Sequence, residues 1–217
     1  MSTFPGSPQL IKGGIVLLDP SSGQAIQTIA LQYNPDTLTR TLQVQGTGPE
    51  PGDRMEALRL KAPPIESFKL DAEIDATDQM ESGDSTVAEL GIFPQLAALE
   101  MLAYPSSRQL AAHDTQSQTG TLEIAPMESP LTLFVWSRQR VLPVRLTEFS
   151  ITEEAFDPNL NPIRAKISLG MRVLTVNDLG FSHRGGSLFM TYLQQKEQLV
   201  GRGPRSTSSK LGLRSNP

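Results

Sequence analysis

The chain has 217 residues, 38% of them hydrophobic, which is enough to bury a core, and its net charge is −4. It has no cysteine, which excludes disulfide bonds, thiolate metal ligands and a cysteine nucleophile. No apolar run approaches the roughly 20 residues that span a bilayer. The first residues, MSTFPGS, lack a basic region followed by an apolar one. Neither a membrane span nor a secretory signal is therefore expected.

Composition divides the chain into three regions. Residues 1–12 are predicted to be an irregular lead-in, residues 13–200 a β domain, and residues 201–217 a flexible basic tail. The tail is rich in Ser, Gly and Pro, and Leu211 and Leu213 are its only large apolar residues, so we expect it to be dispensable for folding. Because the basic tail leaves the rest of the chain more acidic, no nucleic-acid-binding body is predicted.

The first half of the chain predicts short strands joined by turns. Residues 15–18, 19–23 and 25–33 indicate a strand, a turn and a strand, with Gly23 available for a positive φ. A third strand follows from residue 38. Residues 45–64 contain repeated Gly and Pro and predict one long loop.

Residues 66–75 alternate between apolar and charged side chains. The acids Asp71, Glu73 and Asp75 match the first positions of a calcium-binding loop. Ala76 stands where that loop needs Gly, and Ser82 where it needs a bidentate Glu. The acids are therefore interpreted as the solvated face of a strand, and no metal site is predicted.

Helices are predicted in two places. Residues 78–85 indicate a polar turn, Thr86 and Glu89 a capping box for a short helix, and residues 94–104 a second helix that begins near Pro94. Residues 106–120 indicate a mobile surface loop, and residues 121–125 a short strand. A last helix is predicted over residues 186–199, with Ser187 as its cap.

Three long β segments fill the second half of the chain. Residues 131–136, 141–152 and 163–173 are joined by short polar links, which favours an antiparallel meander. Residues 163–173 alternate without a break, so Ile167, Leu169 and their neighbours face a core while the bases share the opposite face. Those bases are expected either to stay solvated or to meet acids of a neighbour.

Catalytic residues are not predicted. His113 and His183 are the only imidazoles, neither has a second histidine nearby, and no Gly-x-Ser-x-Gly motif is present. Arg184 and Ser187 open the last helix in a sequence that could hold an anion, although an ordinary helix start explains it as well. The sequence therefore predicts no catalytic, metal or cofactor site.

Three stretches together resemble the tube-domain family of contractile injection systems. Residues 31–38 read LQYNPDTL, a strand that ends in aromatic-Asn-Pro-acid-Thr-Leu. Residues 87–100 read VAELGIFPQLAALE and resemble the family's helix. Residues 143–173, with FDPNLNP at 156–162, resemble its final β-hairpin. These stretches resemble the N-terminal domain of the family's LysM-containing members, although a low-complexity tail follows here in place of a peptidoglycan-binding LysM module.

The resemblance implies a mainly β fold, a tail-tube-like antiparallel β-barrel or sandwich with one or two flanking helices and a C-terminal helix. It implies a structural protein and not an enzyme, an adaptor between the spike hub and the inner tube of a phage-tail-like particle. The expected partners are further copies in a six-fold ring, the inner tube protein, the spike or hub protein and baseplate proteins. The expected location is the bacterial cytoplasm, within an injection particle, or outside the cell where that particle is released.

Two groups of residues are candidates for subunit contacts. The first is the basic strand face with its preceding loop: Arg164, Lys166, Arg172, Asp157, Asn159 and Asn161. The second is an arm within the long loop: Gln45, Arg54, Met55, Leu58 and Pro64. Two other functions stay open, a small β module that binds a ligand or peptidoglycan, and a hydrolase.

Overall fold

The computed structural model describes residues 11–19, 22–46, 59–81, 83, 85–118 and 129–203. Within these residues, seven antiparallel strands form one sheet in the order β2-β1-β5-β6-β7-β4-β3. The strands are β1 Gly14–Leu18, β2 Ala25–Ala30, β3 Leu38–Gly46, β4 Leu60–Asp75, β5 Leu131–Ser137, β6 Arg140–Phe156 and β7 Pro162–Val173. The helices are α1 Thr77–Glu81, α2 Ser85–Leu90, α3 Phe93–Glu100, α4 Ser107–Gln118, α5 Val176–Leu179 and α6 Arg184–Val200. The mainly β fold with flanking helices and a C-terminal helix is confirmed.

Strand β7 lies between β6 and β4 and organises the core. Its alternation places Ile167, Leu169 and Met171 on the inner face, each almost completely buried. Full burial of such a side chain stabilises the fold by about 1.5–3 kcal/mol. The predicted antiparallel meander of β5, β6 and β7 is confirmed.

Helices cover the inner face of the sheet. Ile92, Leu96 and Leu99, from the start and body of α3, are buried in the same core cluster as Ile167 and Leu169. Phe189 and Tyr192 of α6 belong to that cluster as well. One continuous core therefore joins both sets of helices to the sheet.

The predicted long loop at residues 45–64 is too long at both ends. Strand β3 runs to Gly46, and β4 begins at Leu60, so Pro63 and Pro64 lie within a strand. Strand β7 pairs with β4 only from Ser67 onward, so the missing N–H of Pro64 removes no bond on that side. The register of β3 against β4 also shifts near Pro63, which relaxes the need for its N–H.

The predicted loop at residues 106–120 is wrong, because α4 occupies most of it. Ser106 caps this helix: its hydroxyl accepts a hydrogen bond from the Gln109 backbone N–H at 3.2 Å, and Gln109 Oε1 accepts from the Ser106 N–H at 2.9 Å. This reciprocal pair is a capping box with Gln at the third position. The Ser- and Gln-rich composition concealed it.

Three smaller predictions also change. The polar turn at residues 78–85 is in part helix α1, and Thr86 lies inside α2 rather than at its cap. The cap of α6 is His183, whose Nδ1 accepts a hydrogen bond from the Gly185 N–H at 3.1 Å, and not Ser187. The short strand predicted at residues 121–125 lies outside the described residues, as do residues 1–10 of the lead-in and 204–217 of the tail. No helix in the described part of the chain is long and apolar enough to cross a membrane.

Candidate functional site

The outer face of β4, β7 and β6 carries oppositely charged side chains in rows. The antiparallel register places Asp75 of β4, Arg164 of β7 and Glu154 of β6 side by side. In the next outward-facing row, Glu73 lies beside Lys166. Side chains of residues directly opposite in adjacent strands are close enough to pair. We call this surface the charged outer face.

Ion pairs within the chain neutralise the bases of the charged outer face. Arg164 donates a hydrogen bond from Nε to Oδ2 of Asp75 at 2.8 Å. Its Nη2 lies 2.7 Å from the same oxygen, and its Nε lies 3.6 Å from Oε1 of Glu73. Lys166 Nζ donates to Oε1 of Glu154 at 2.8 Å. Asp75 raises the pKa of Arg164, and Glu154 raises that of Lys166. The sequence predicts that these bases either stay solvated or meet acids of a neighbour. In the structure they stay solvent-exposed and pair with acids of their own chain.

Arg172 binds an acid at the start of α5. Its Nη2 donates to Oδ1 of Asp178 at 2.7 Å, while Oδ2 of the same carboxylate accepts from the N–H and hydroxyl of Thr175. Desolvation raises the pKa of Asp178, but the Thr175 and Arg172 contacts outweigh it and hold that pKa below its usual value. Arg172 is therefore a structural link between β7 and the following turn.

The polar residues of the loop between β6 and β7 fold the loop itself. Oδ1 of Asp157 accepts from the backbone N–H groups of Asn159 at 2.7 Å and Asn161 at 2.8 Å. The Asn161 side-chain amide donates to Oδ2 of Asp157 at 2.8 Å and to the Glu89 carbonyl at 2.9 Å. Desolvation acts to raise the pKa of Asp157, but these hydrogen bonds from Asn161 and Asn159 keep it below its usual value.

Leu160 is the side chain that this loop presents outward. It is 75% exposed, and its φ is +65°, a left-handed conformation that branched apolar residues rarely adopt. Phe156, at the start of the loop, is 49% exposed. A strained and exposed leucine at a loop tip is a candidate contact that the sequence analysis missed.

The predicted arm is only partly described. Gln45 lies in β3, where its Nε2 donates to the Pro63 carbonyl at 3.2 Å, and Pro64 lies in β4. These two residues hold the sheet margin and do not form an arm. Arg54, Met55 and Leu58 lie outside the described residues.

Strand β3 forms one end of the sheet, and its outer edge is unpaired among the described residues. The pairing pattern shows which amides face outward. The Ala76 N–H donates to Ile163 of β7, so Asp75 and the alternate residues before it direct their backbone groups toward β3. Thr41, opposite Ser67, therefore bonds with β4, while Leu42 directs its N–H and C=O away from the sheet.

The side chains along the β3 margin include exposed apolar groups. Val44 is 70% exposed, Leu42 44% and Leu60, at the start of β4, 73%. A long unpaired edge with apolar side chains is a template for pairing with another chain. Proteins that stay monomeric usually block such an edge with Pro, Lys or a bulge, and in β3 the register against β4 shifts only after Gln43.

A buried carboxylate fixes α6 to the sheet. Glu66 of β4 is 3% exposed; its Oε1 accepts from the Tyr192 hydroxyl at 2.9 Å and its Oε2 from Lys196 Nζ at 3.0 Å. Arg40 of β3 lies 3.8 Å away. Lys196 Nζ also lies 4.0 Å from the centre of the Tyr192 ring, within range of a cation–π interaction. The sequence did hold a signal, because Glu66 shares the apolar parity of Phe68 and Leu70.

Chemical sites are few in the described part of the chain. No group of three or more His, Asp or Glu side chains there could hold a metal ion. His183 is engaged as the cap of α6. A scan against models of known protein families finds no match, and neither does a search of curated proteins.

Proposed function

We propose that this protein is a structural ring subunit of a contractile injection system, an adaptor between the spike hub and the inner tube. The observation that carries the proposal is the unpaired β3 edge with exposed Leu42 and Val44. The β3 edge can meet a different surface of a neighbouring copy, and a head-to-tail contact of that kind forms a ring when its rotation closes. The kind of particle and the six-fold symmetry in this proposal rest on the resemblance of residues 31–38, 87–100 and 143–173 to the tube-domain family.

Several parts of this proposal follow from the ring. Its neighbours are further copies of the chain, the inner tube protein, the hub and the baseplate proteins, and it assembles in the bacterial cytoplasm. The chain acts by assembly and not by catalysis. Leu160, at the tip of the loop after β6, is a second contact, toward the layer above or below the ring.

The test measures the mass of the purified chain and images it by electron microscopy. Wild type should form rings, with a mass near six subunits. Leu42→Pro removes a free-edge N–H and no bond to β4, so the subunit should fold but fail to form rings. Leu42→Ala removes the same side chain and keeps the N–H, so rings should persist.

Thr41→Pro is the matched control, because it tests which N–H groups of β3 face β4 and which face the free edge. Its N–H faces β4, so this substitution should destabilise the subunit itself. Wild type that remains monomeric at every concentration, or Leu42→Pro that forms normal rings, contradicts assembly through this edge.

A further inference from the structure

The long strand β6 is only partly covered by its neighbour β5. Their pairing ends at Thr132 and Val144, although β6 continues to Phe156. Continuing the register places Pro130 opposite Leu146, and proline has no N–H to donate. Within the described residues, β6 therefore has a free edge from Leu146 onward, on the side away from β7. We call it the β6 edge.

The hydrogen-bond pattern shows which backbone groups the β6 edge presents. The Ala76 N–H donates to the carbonyl of Ile163 in β7. In an antiparallel sheet the backbone groups of successive residues point to opposite sides, so the odd-numbered residues of β7 bond with β4 and the even-numbered ones with β6. Ser150 lies opposite an even-numbered residue of β7 and bonds with it. Phe149 and Ile151 therefore direct their N–H and C=O groups to the free side.

A groove of about 690 Å³ runs along the start of the β6 edge. Its apolar lining includes Leu102, just after α3, with Leu146 and Phe149 of β6, and all three side chains are partly exposed. Pro130 and Leu131 line it where β5 begins, so the groove continues the line of β5. A strand placed there, ~4.8 Å from β6, pairs with β6 alone and is not inserted between two strands.

One cation at the groove has no acid of its own. Arg145 lines the groove and lies directly opposite Arg172 on the outer face of the sheet, where like charges repel each other. Arg172 is neutralised by Asp178, and Glu148, which also lines the groove, pairs with Lys69 at 3.3 Å. None of the ion pairs formed within the described residues involves Arg145.

We propose that the β6 edge binds an extended segment of a partner protein in which apolar and acidic residues alternate. The backbone of this segment bonds with the free N–H and C=O groups of Phe149 and Ile151, as an added strand does. Its apolar side chains share the inward face with Phe149 and pack on Leu102, while its acids project outward toward Arg145. This contact is separate from the β3 edge and does not depend on ring formation.

A designed peptide tests the backbone pairing. The probe is TVEVEVT, capped at both ends and labelled with fluorescein, and its binding to the full chain is measured by fluorescence anisotropy. The valine N–H groups face β6, so N-methylation of the valines should abolish binding. The glutamate N–H groups point away from β6, so their N-methylation should leave the affinity unchanged. A probe that does not bind, or equal affinities of the two methylated peptides, overturns the proposal.

Charge exchange locates the site. Arg145→Glu should weaken binding of TVEVEVT roughly fivefold and strengthen binding of TVKVKVT by a similar factor. Arg138→Glu, in the turn between β5 and β6 and outside the groove, is the matched control and should change neither affinity. Affinities that do not respond to Arg145→Glu overturn the proposal.

The variant Leu42→Pro separates this contact from the ring. It blocks the β3 edge, and it should bind the probe as wild type does. Tighter binding to Leu42→Pro than to wild type would show that β3 of a neighbouring copy already occupies the β6 edge, and would overturn the proposal. Wild type that stays monomeric contradicts the ring but leaves the expected affinities of the probe unchanged.

Discussion

Tyr192 of α6 and Glu66 of β4 are 126 positions apart in sequence, yet their side chains share a 2.9 Å hydrogen bond inside the core. The carboxylate is tolerated there because Lys196 supplies an opposite charge and Tyr192 a further donor. A buried charge that loses a partner costs more free energy than an exposed one. This contact therefore controls how firmly α6 stays on the sheet.

Tyr192→Phe removes one hydrogen bond and little volume. We expect it to lower the free energy of unfolding by about 1.5–3 kcal/mol, the range for hydrogen bonds to charged groups. Urea unfolding followed by circular dichroism measures the change. Thr191→Val, which removes the exposed bond from Thr191 to the Ser187 carbonyl, is the control and should have a much smaller effect. Equal losses of unfolding free energy in the two variants would show that the buried hydrogen bond stabilises the fold no more than the exposed one.

Charge reversal tests the charged outer face. Arg164→Glu with Lys166→Glu places two new carboxylates beside Asp75, Glu73 and Glu154, so the subunit should be modestly destabilised and still fold, because these pairs are solvent-exposed. If the face also contacts a neighbour, ring formation should fall further than stability does. Circular dichroism and electron microscopy on the same preparations separate the two effects.

Two comparisons sharpen that experiment. Leu169→Asp places a charge in the core and should unfold the subunit outright. Arg164→Glu combined with Asp75→Lys restores one pair in the opposite direction and should recover much of the lost stability. Rings that form normally from the double reversal would remove this face from the assembly surface and leave the β3 edge as the contact.

Stability at acid pH should depend on Asp75. Hydrogen bonds from the Thr77 side chain and N–H, with a smaller effect of Arg164, hold its pKa below the ordinary 3.8. A lowered pKa in the folded state contributes stability that is complete above 3.8 and is lost as the pH falls through the lowered value. Asp75→Asn should therefore flatten the fall in unfolding free energy below about pH 4. Urea titrations at several pH values measure it. Asp71→Asn changes an acid on the same strand face that makes no hydrogen bond within the described residues, and an equal flattening there would contradict the assignment.

Gly91 tests the docking of the α2–α3 junction on the loop before β7. Its φ is +59°, and an added Cβ would lie 2.2 Å from the Pro162 carbonyl oxygen. Gly83 also has a positive φ, +77°, but nothing lies within 4 Å of its Cβ position. Gly83→Ala should cost about 1–2 kcal/mol from backbone strain alone, and Gly91→Ala clearly more. The measurement is the unfolding free energy of each variant, and equal values would show that the junction adapts without cost.

Leu160 is expected to lower the free energy of unfolding of the subunit and to provide a contact for a partner. Leu160→Gly relieves its left-handed strain and should raise the free energy of unfolding by up to about 1 kcal/mol. The same change removes an exposed leucine, so particle assembly should weaken if the loop tip meets a partner. A loss of stability together with normal assembly would show that Leu160 packs within its own subunit.

Features that follow from a local residue pattern, such as strands, could be predicted from the sequence. Contacts between residues that are far apart in the chain could not. The alternation of β7 is visible in its own residues, so its strand and core face were found. The Arg164–Asp75 pair was missed, although both residues had been noted, because only the register of β7 against β4 brings them together. Helix α4 was missed because a capping box at Ser106 and Gln109 was outweighed by a polar composition typical of loops. The function of Gln32 as a bridge to Asp75 has no local signal at all.

The charged outer face has a consequence for how subunits meet. Each of its two bases lies within 4 Å of an acid, and with three acids the face keeps a single net negative charge. A partner several ångströms away therefore experiences only a weak potential, which salt screens. Long-range attraction therefore contributes little to guiding an approaching molecule to the charged outer face. Association through this side should proceed at the unsteered rate, about 10⁵–10⁶ M⁻¹s⁻¹, and change little with ionic strength. The rate of assembly would then be set by how often the apolar and hydrogen-bonding edges collide in the right orientation.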